Sequence, residues 1–125
     1  MGQSESALLY KWDEVRLDQM RGSLTRRFVS SERMMIAQIS FKKGDDVPRH
    51  SHDNEQLTYV LSGMLKFWFG EGDDEIEMTV GEGELVIIPG GLPHRAIALS
   101  DTFELDIFCP PRADWIDGSD AYLRR

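Results

Sequence analysis

Short segments in which apolar and polar residues alternate follow one another along most of the chain. The odd-numbered positions of residues 34–41 are all apolar from Met35 onward, which is the pattern of a strand with one buried face. The apolar runs on either side of Ser62–Gly63 predict a β-hairpin that turns at these two residues. Residues 85–89 are apolar throughout and predict a buried strand. Turn-forming residues separate these segments at short intervals, so the pattern predicts an all-β sandwich or barrel of about eight or nine strands.

Helical structure is expected only near the two ends of the chain. Residues 8–20 predict an irregular or helical segment, and residues 112–125 predict a turn or two of helix. A length of 125 residues fits one domain with an ordinary hydrophobic core. We therefore predict an N-terminal extension over residues 1–20, partly ordered on the barrel or on a partner, and a barrel domain over residues 21–125.

The charge of the chain limits its partners. Acidic residues outnumber basic ones by 22 to 14, and the net charge is -8. Because phosphate binding depends on clustered Lys and Arg, this balance argues against nucleic acid and anionic membranes. The isolated pairs Arg26–Arg27 and Lys42–Lys43 are expected to be solvated. The single Cys109 excludes an intramolecular disulfide, and no apolar run reaches the roughly 18 residues of a membrane helix, which predicts a cytoplasmic protein.

All three histidines of the sequence are candidates for one metal site. His50 and His52 are two residues apart, so they share a face if the segment is extended, and Gln56 is another even step along. His94 lies far away in the sequence, and only the fold could bring it to the other two. An H-x-H pair alone is a weak signal, because it is more often part of a polar surface than of a metal site.

The residues that flank these histidines strengthen the metal-site interpretation. Residues 44–63 read G-x5-H-x-H-x3-Q-x6-G, and residues 83–94 read G-x5-P-x-G-x2-H. In this order the two strings resemble the two motifs of the cupin superfamily. The resemblance implies a single-domain cupin β-barrel (a double-stranded β-helix, or jelly roll) that binds one divalent metal. It also implies four metal ligands, which are His50, His52, Gln56 and His94.

Gln56 departs from the usual cupin motif, which has Glu at this position. A neutral ligand leaves the charge of the ion uncompensated, which favours Lewis-acid chemistry on an anionic substrate. Neutral nitrogen and oxygen ligands suit Ni, Zn, Mn, Fe or Co without selecting one of them. Strand alternation directs Glu55 away from the ion, although a bulge at this point would exchange the roles of Glu55 and Gln56.

A second group of polar residues lies between residues 103 and 115. Alternation places Glu104, Asp106 and Phe108 on one face of a strand, which suits a polar, partly dry pocket. An edge strand whose acids face water and pair with Arg112 explains the same pattern. The segment resembles the tail of small cupins of the KdgF-like family, associated with pectin degradation. The resemblance implies that Asp106, Phe108 and Arg112 are catalytic and line the metal site.

The same resemblance implies an activity, a substrate and an assembly. KdgF-like proteins convert 4,5-unsaturated monouronates into linear keto-uronates, so we expect a small acidic sugar as substrate and a homodimer. Two alternatives stay open from the sequence. A metal-dependent dioxygenase uses the same barrel, although the neutral Gln56 fits it less well. A non-catalytic cupin that binds a metal or a small acid would keep the histidines but would need no proton-transferring residue.

Overall fold

A computed structural model describes residues 6–125 of the chain. Its strands are β1 (Asp18–Gln19), β2 (Thr25–Ser30), β3 (Met35–Phe41), β4 (Asp46–His50), β5 (Glu55–Ser62), β6 (Met64–Phe69), β7 (Ile76–Gly81), β8 (Leu85–Ile88), β9 (His94–Ala98) and β10 (Thr102–Cys109). The two short helices are α1 (Ala113–Asp117) and α2 (Ala121–Arg124), and short 3₁₀ turns lie at Trp12–Glu14 and Gly72–Asp74. The all-β class and the short helical segments near the ends are confirmed, and the strands number ten rather than eight or nine.

The strands form two antiparallel sheets. The larger sheet has the order β1-β2-β3-β10-β5-β8, and the smaller has the order β4-β9-β6-β7. The core lies between them, because every second side chain of the central strands is buried. In β3 the buried positions are Met35, Ala37, Ile39 and Phe41, as the alternation predicts. In β10 the buried positions include Glu104, Asp106 and Phe108, so this polar face points into the barrel.

The hairpin predicted at Ser62–Gly63 is wrong. Strand β5 belongs to the larger sheet and β6 to the smaller, so this turn carries the chain from one sheet to the other. Gly63 has a φ of 94°, and a Cβ atom there would overlap the backbone of Asp101 and Thr102. Glycine is therefore needed both for the left-handed conformation and for the close packing against the start of β10. The antiparallel partner of β6 along the chain is β7.

The buried strand predicted at residues 85–89 is also wrong in part. Strand β8 alternates, with Val86 and Ile88 buried and with Leu85 and Ile87 exposed to 58% and 65%. The reason is that β8 is the edge strand of the larger sheet, and one of its faces lies on the outside of the barrel. An apolar run of this length does not by itself distinguish a strand buried on both faces from one with an apolar outer face.

Arg26 is buried, so the prediction that it is solvated is wrong. Its side chain is 1% exposed, and its guanidinium donates hydrogen bonds to Asp120 at 2.7 Å and Asp18 at 3.2 Å. The guanidinium carbon also lies 4.3 Å from the centre of the Trp115 ring. This charged cluster ties β1 and β2 to the segment that precedes α2. A buried ion is tolerated here because two carboxylates neutralise it.

The N-terminal part of the chain is only partly covered by the structure. Residues 1–5 of the predicted extension lie outside the described residues. Strand β1 pairs with β2 through Asp18 and Arg26, so the last part of the predicted extension is ordered on the barrel. The domain boundary at residue 20 stays a prediction. Among residues 6–125, no helix is long and apolar enough to cross a membrane.

Candidate metal centre

The fold brings the three histidines together. His50 at the end of β4 and His94 at the start of β9 are directly opposite each other in the smaller sheet. Their ring centres are 4.3 Å apart, and the ring of His52 lies 5.2 Å from that of His94. One ring nitrogen of each histidine lies within 4.8 Å of the others. The predicted grouping of His50, His52 and His94 is therefore present in the structure.

Backbone carbonyl groups set the tautomer of all three rings. The Nδ1 atoms of His50, His52 and His94 lie 2.9, 3.1 and 2.8 Å from the carbonyl oxygens of Pro48, Asn54 and Leu92. A carbonyl oxygen can only accept, so each Nδ1 carries the hydrogen and each Nε2 keeps a free lone pair. Such hydrogen bonds from Nδ1 to a carbonyl oxygen are typical of histidines that bind a metal through Nε2.

The three imidazoles are neutral near pH 7. Burial, together with smaller contributions from the nearby histidines and Arg112, lowers the pKa of His50 to about 3 and that of His52 to about 4. Burial also lowers the pKa of His94 below its usual value. Because a metal competes with protons for the same lone pairs, these lowered pKa values keep the ligands available.

Gln56 presents its amide oxygen to the same point. The Gln56 Nε2 donates hydrogen bonds to Thr58 Oγ1 at 3.0 Å and to Asp106 Oδ1 at 3.3 Å, which fixes the orientation of the amide. Its Oε1 lies 3.1 Å from His52 Nε2. With the tautomer described above, both atoms are acceptors, so a cation bound by both lone pairs would stabilise this close approach. Glu55 is exposed, as strand alternation predicts.

The donor set fits a divalent transition metal. The Nε2 of His94 is buried and has no hydrogen-bond partner among residues 6–125, although buried polar atoms are nearly always paired. A metal at this point would satisfy both this nitrogen and the acceptor pair of His52 and Gln56. Imidazole and amide donors suit Ni, Zn, Mn, Fe or Co, and the arrangement does not select among them.

Asp106 lies beside this group on the inner face of β10. It is directly opposite Thr58 of β5, whose hydroxyl donates a hydrogen bond to Asp106 Oδ1 at 2.7 Å. Both side chains are buried. With Gln56 also donating to Oδ1, the carboxylate of Asp106 is held in one orientation and is linked to a candidate metal ligand.

Glu104 is a buried acid for which the sequence indicated a face but no role. Burial and the adjacent Asp106 raise the pKa of Glu104 well above its usual value. The raised pKa favours the protonated form of Glu104, whose hydroxyl donates a hydrogen bond to the Asp106 carboxylate. Neither Glu104 nor Thr58 was predicted as part of the site. Strand alternation already placed Glu104 beside Asp106 on one face, whereas the position of Thr58 opposite Asp106 was visible only once the strand pairing was known.

Arg112 reaches the site from the segment after β10. Its guanidinium lies 5.2 Å from the centre of the Phe108 ring. It donates two hydrogen bonds to Asp114, at 3.0 and 2.8 Å, and one to the hydroxyl of Tyr122 at 2.6 Å. The edge-strand interpretation of this region is wrong, because β10 lies between β3 and β5 and its acids point inward.

Six of the seven predicted site residues line one cavity of about 40 Å³: His50, Gln56, His94, Asp106, Phe108 and Arg112. The seventh is His52, whose ring lies 5.7 Å from the ring of Phe108. Both sheets contribute, since His50 and His94 come from the smaller sheet and Gln56, Asp106 and Phe108 from the larger. The structure therefore places all seven residues in one region of the barrel interior.

Tyr122 of α2 is a member of this site that the sequence did not indicate. Its ring stacks on that of His50, with 4.7 Å between the ring centres, and it also lines the cavity. The residue lies in a short segment without clear periodicity, 72 positions after His50 by their numbers in the chain. No motif or spacing in the sequence pointed to it.

Comparisons with known proteins agree with this architecture. A family model described as a cupin domain matches residues 37–110, more than half of the chain. Acireductone dioxygenases from Phaeosphaeria nodorum and Heterostelium pallidum are 38% and 32% identical over 47 and 57 residues. These alignments cover 37% and 45% of this chain but only 27% and 38% of the relatives, so the chain spans about a third of the length of the curated proteins it matches.

Solved structures share the whole fold at low sequence identity. An RmlC-like cupin from Shewanella frigidimarina has a TM-score of 0.78 and 22% identity, and covers 88% of this chain and 96% of its own. KdgF from Halomonas sp. has a TM-score of 0.77 and 20% identity, with 88% and 99% covered. Oxalate decarboxylase from Bacillus subtilis has a TM-score of 0.77 and 22% identity, with 86% and 30% covered. The predicted cupin barrel is confirmed.

Proposed function

The chain belongs to the cupin family, and from this premise we propose that it is a divalent-metal enzyme that converts 4,5-unsaturated monouronates into linear keto-uronates. The observation that carries the proposal is the carboxylate of Asp106, which is buried beside the three histidines and held by Thr58 and Gln56. A site that only binds a metal has no need for such a group. A proton-transferring enzyme does need one.

Four residues would hold the metal: His50, His52, Gln56 and His94. A bound divalent ion supplies Lewis acidity toward the substrate oxygens, and no carboxylate among these ligands offsets its charge. The hydrogen bonds from Nδ1 of each histidine to the backbone orient the rings, so the ligands are preorganised.

Arg112 and Phe108 would bind and orient the sugar acid. The planar guanidinium of arginine matches a carboxylate in bidentate fashion. Phe108 is 1% exposed and lies between the histidines and Arg112, so its ring would contact the sugar from one side. Asp114 already pairs with Arg112, so a substrate carboxylate would have to bind the guanidinium donors that this pair leaves, against an overall charge of -8.

Asp106 would move the proton. It would take the proton from the anomeric hydroxyl while the bond between the anomeric carbon and the ring oxygen breaks. The electron pair of that bond goes to the ring oxygen and leaves an enolate, and a proton is then added to the former alkene carbon. The reaction is an isomerisation, so no oxidant or further reactant is consumed. In its protonated form, Glu104 would donate a hydrogen bond to Asp106 and help to hold that side chain in position.

Metal-dependent dioxygenase activity is the second candidate function. The sequence likeness to acireductone dioxygenases favours it, although it covers less than half of this chain. The neutral Gln56 argues against dioxygenase activity, because an anionic ligand helps to stabilise an oxidised metal. The two candidates differ in their need for O₂.

One experiment tests the proposed function and separates it from the second candidate. The metal-loaded protein is incubated with 4,5-unsaturated galacturonate in air and under nitrogen, and the loss of alkene absorbance is followed in the ultraviolet. We expect faster loss than in buffer and the same rate in both atmospheres. No acceleration over buffer would refute the uronate activity, and acceleration that depends on O₂ would support the dioxygenase.

We also propose that the protein is a homodimer that uses the outer face of the larger sheet. Apolar residues form a row across this face, where Ile87 of β8 pairs with Leu57 of β5 and Leu57 pairs with Ile107 of β10. Leu85 and Tyr59 begin a second row. Contiguous apolar area of this kind is rare on monomers. The exposed Leu8 and Leu9 of the predicted N-terminal extension would add to such an interface.

Replacing Ile87 with lysine is expected to weaken this dimer. The substitution places a charge in the apolar face, and we expect the dimer dissociation constant to rise by about tenfold or more in analytical ultracentrifugation. The matched control is Ile76→Lys, since Ile76 is 62% exposed and lies on the edge strand of the smaller sheet. A monomeric wild-type protein, or equal weakening by both variants, would contradict the proposed interface.

The cytoplasmic location stays a prediction.

A further inference from the structure

Residues 119–125, here called the covering segment, place the Tyr122 side chain against the candidate metal site. Two contacts anchor the segment. Asp120 is fully buried and accepts hydrogen bonds from Arg26 at 2.7 Å and from Arg124 at 2.8 Å. Leu123 is buried in the core, and its carbonyl oxygen accepts a hydrogen bond from the backbone of Arg21 at 2.8 Å. The backbone is therefore held on both sides of Tyr122.

Tyr122 occupies two positions that a substrate would need. Its ring stacks on His50 at an angle of 29°, so it covers one of the candidate metal ligands. Its hydroxyl accepts a hydrogen bond from Arg112 at 2.6 Å. One N–H donor of the guanidinium that would bind a substrate carboxylate is therefore already in use.

The space left beside Tyr122 is too small for a sugar acid. The cavity of about 40 Å³ has room for roughly two or three water molecules. Pockets that bind small organic ligands usually measure about 300–1,000 Å³. A uronate that contacts both His50 and Arg112 therefore requires movement of the Tyr122 side chain. That movement requires loss of the stacking on His50 and of one hydrogen bond, while the anchors at Asp120 and Leu123 can stay in place.

We propose that Tyr122 is a gate that determines specificity, and that it opens for ligands whose carboxylate replaces the Tyr122 hydroxyl on Arg112. A neutral sugar of the same size would displace the Tyr122 hydroxyl and leave the buried Arg112 guanidinium with one hydrogen-bond partner fewer. This loss disfavours binding of the neutral sugar. A carboxylate restores that partner with a stronger, charge-assisted bond. The choice of a carboxylate ligand rests on the proposed function, whereas the covering of the metal site by the Tyr122 ring does not.

The covering of the metal is tested by the rate at which Co²⁺ leaves the loaded protein when excess EDTA is added. We expect Tyr122→Ala to release Co²⁺ roughly tenfold faster than wild type, a factor that corresponds to the loss of about one aromatic contact. Tyr122→Phe keeps the ring but lacks the hydrogen bond to Arg112, so it should release Co²⁺ at a rate between those of wild type and Tyr122→Ala. Tyr10→Ala is the matched control, because Tyr10 is exposed and far along the chain from the covering segment. Tyr122→Leu, which retains apolar packing, replaces the alanine variant if circular dichroism shows that the latter is unfolded.

The carboxylate exchange is tested by calorimetric titration of the Co²⁺-loaded proteins with galacturonate and with galactose. We expect Tyr122→Phe to bind galacturonate roughly tenfold or more tightly than wild type, since no hydrogen bond to Arg112 has to be broken first. Galactose should not bind measurably to either protein. Equal galacturonate affinity of wild type and Tyr122→Phe would overturn the exchange on Arg112.

The two measurements separate failure of the gate from failure of the proposed function. Equal rates of Co²⁺ release from wild type and from the folded Tyr122→Ala or Tyr122→Leu variant would overturn the gate. Faster release from that variant, together with no binding of galacturonate to any of the proteins, would support the covering of the metal site and refute the sugar acid as its ligand.

Discussion

Metal affinity is expected to fall by more than about 100-fold when His94 is replaced with alanine. His94 supplies a buried Nε2 without a hydrogen-bond partner among the described residues, and it lies opposite His50 in the strand pairing. Loss of an outer-shell partner of a metal ligand typically costs about 10- to 100-fold in affinity, and loss of the ligand itself should cost more. The measurement is a Co²⁺ titration followed by visible absorption, with metal analysis of the protein as isolated.

The metal-free proteins provide the control for this prediction. Removal of the His94 ring also removes apolar contact with Phe69, whose ring centre lies 6.3 Å away, so the variant could lose affinity by unfolding. The thermal midpoints of metal-free wild type and His94→Ala distinguish the two causes. A folded His94→Ala variant that binds Co²⁺ as tightly as wild type would show that the three histidines are not one metal site.

Replacing Asp106 with asparagine is expected to lower kcat/KM for 4,5-unsaturated galacturonate by about 100- to 10,000-fold, the usual contribution of a general acid or base. Asparagine has nearly the same shape and keeps an oxygen that accepts the Thr58 hydrogen bond, but it cannot take up a proton. The metal content and the thermal midpoint should therefore stay close to those of wild type. The assay is the loss of alkene absorbance with equal metal occupancy in both proteins.

Asp101→Asn is the matched control for the loss of one carboxylate. Asp101 is an exposed residue in the turn before β10, and its substitution should leave kcat/KM unchanged. If Asp106→Asn retained full activity, Asp106 would not be the proton-transferring group. If neither wild type nor Asp106→Asn were active, and both bound the metal and galacturonate, this result would support the alternative of a non-catalytic cupin that binds a metal or a small acid.

The strand alternation was the most reliable signal in the sequence. It correctly assigned the buried face of β3 and the inward direction of Glu104, Asp106 and Phe108 in β10. These predictions held because the period of two is a local property of an extended backbone and does not depend on which strands pair. The motif around His50 and the later motif at His94 were recognised because turns with fixed glycine and proline positions are also local.

The errors concern properties that depend on distant residues. A turn such as that at Gly63 can join two neighbouring strands of one sheet or carry the chain from one sheet to the other. The alternation of the two flanking strands is the same in both cases, so the sequence does not distinguish them. Arg26 was predicted to be solvated because its partner Asp120 lies 94 positions away in the chain. The exposure of Ile87 followed from the edge position of β8, which is a property of the strand order and not of the apolar run.

The sequence by itself predicted the fold class and the inward faces of the strands through local periodicity, and its resemblance to the cupin motifs and to the tail of KdgF-like cupins supplied the seven predicted site residues. Only the tertiary structure decided how these residues act on one another. It placed the Gln56 oxygen against His52 Nε2, the Glu104 side chain in a hydrogen bond with Asp106, and the ring of Tyr122 over His50. Such contacts join strands and segments that are far apart in the chain, and their energies depend on distance and burial, which appear only when the two sheets pack together.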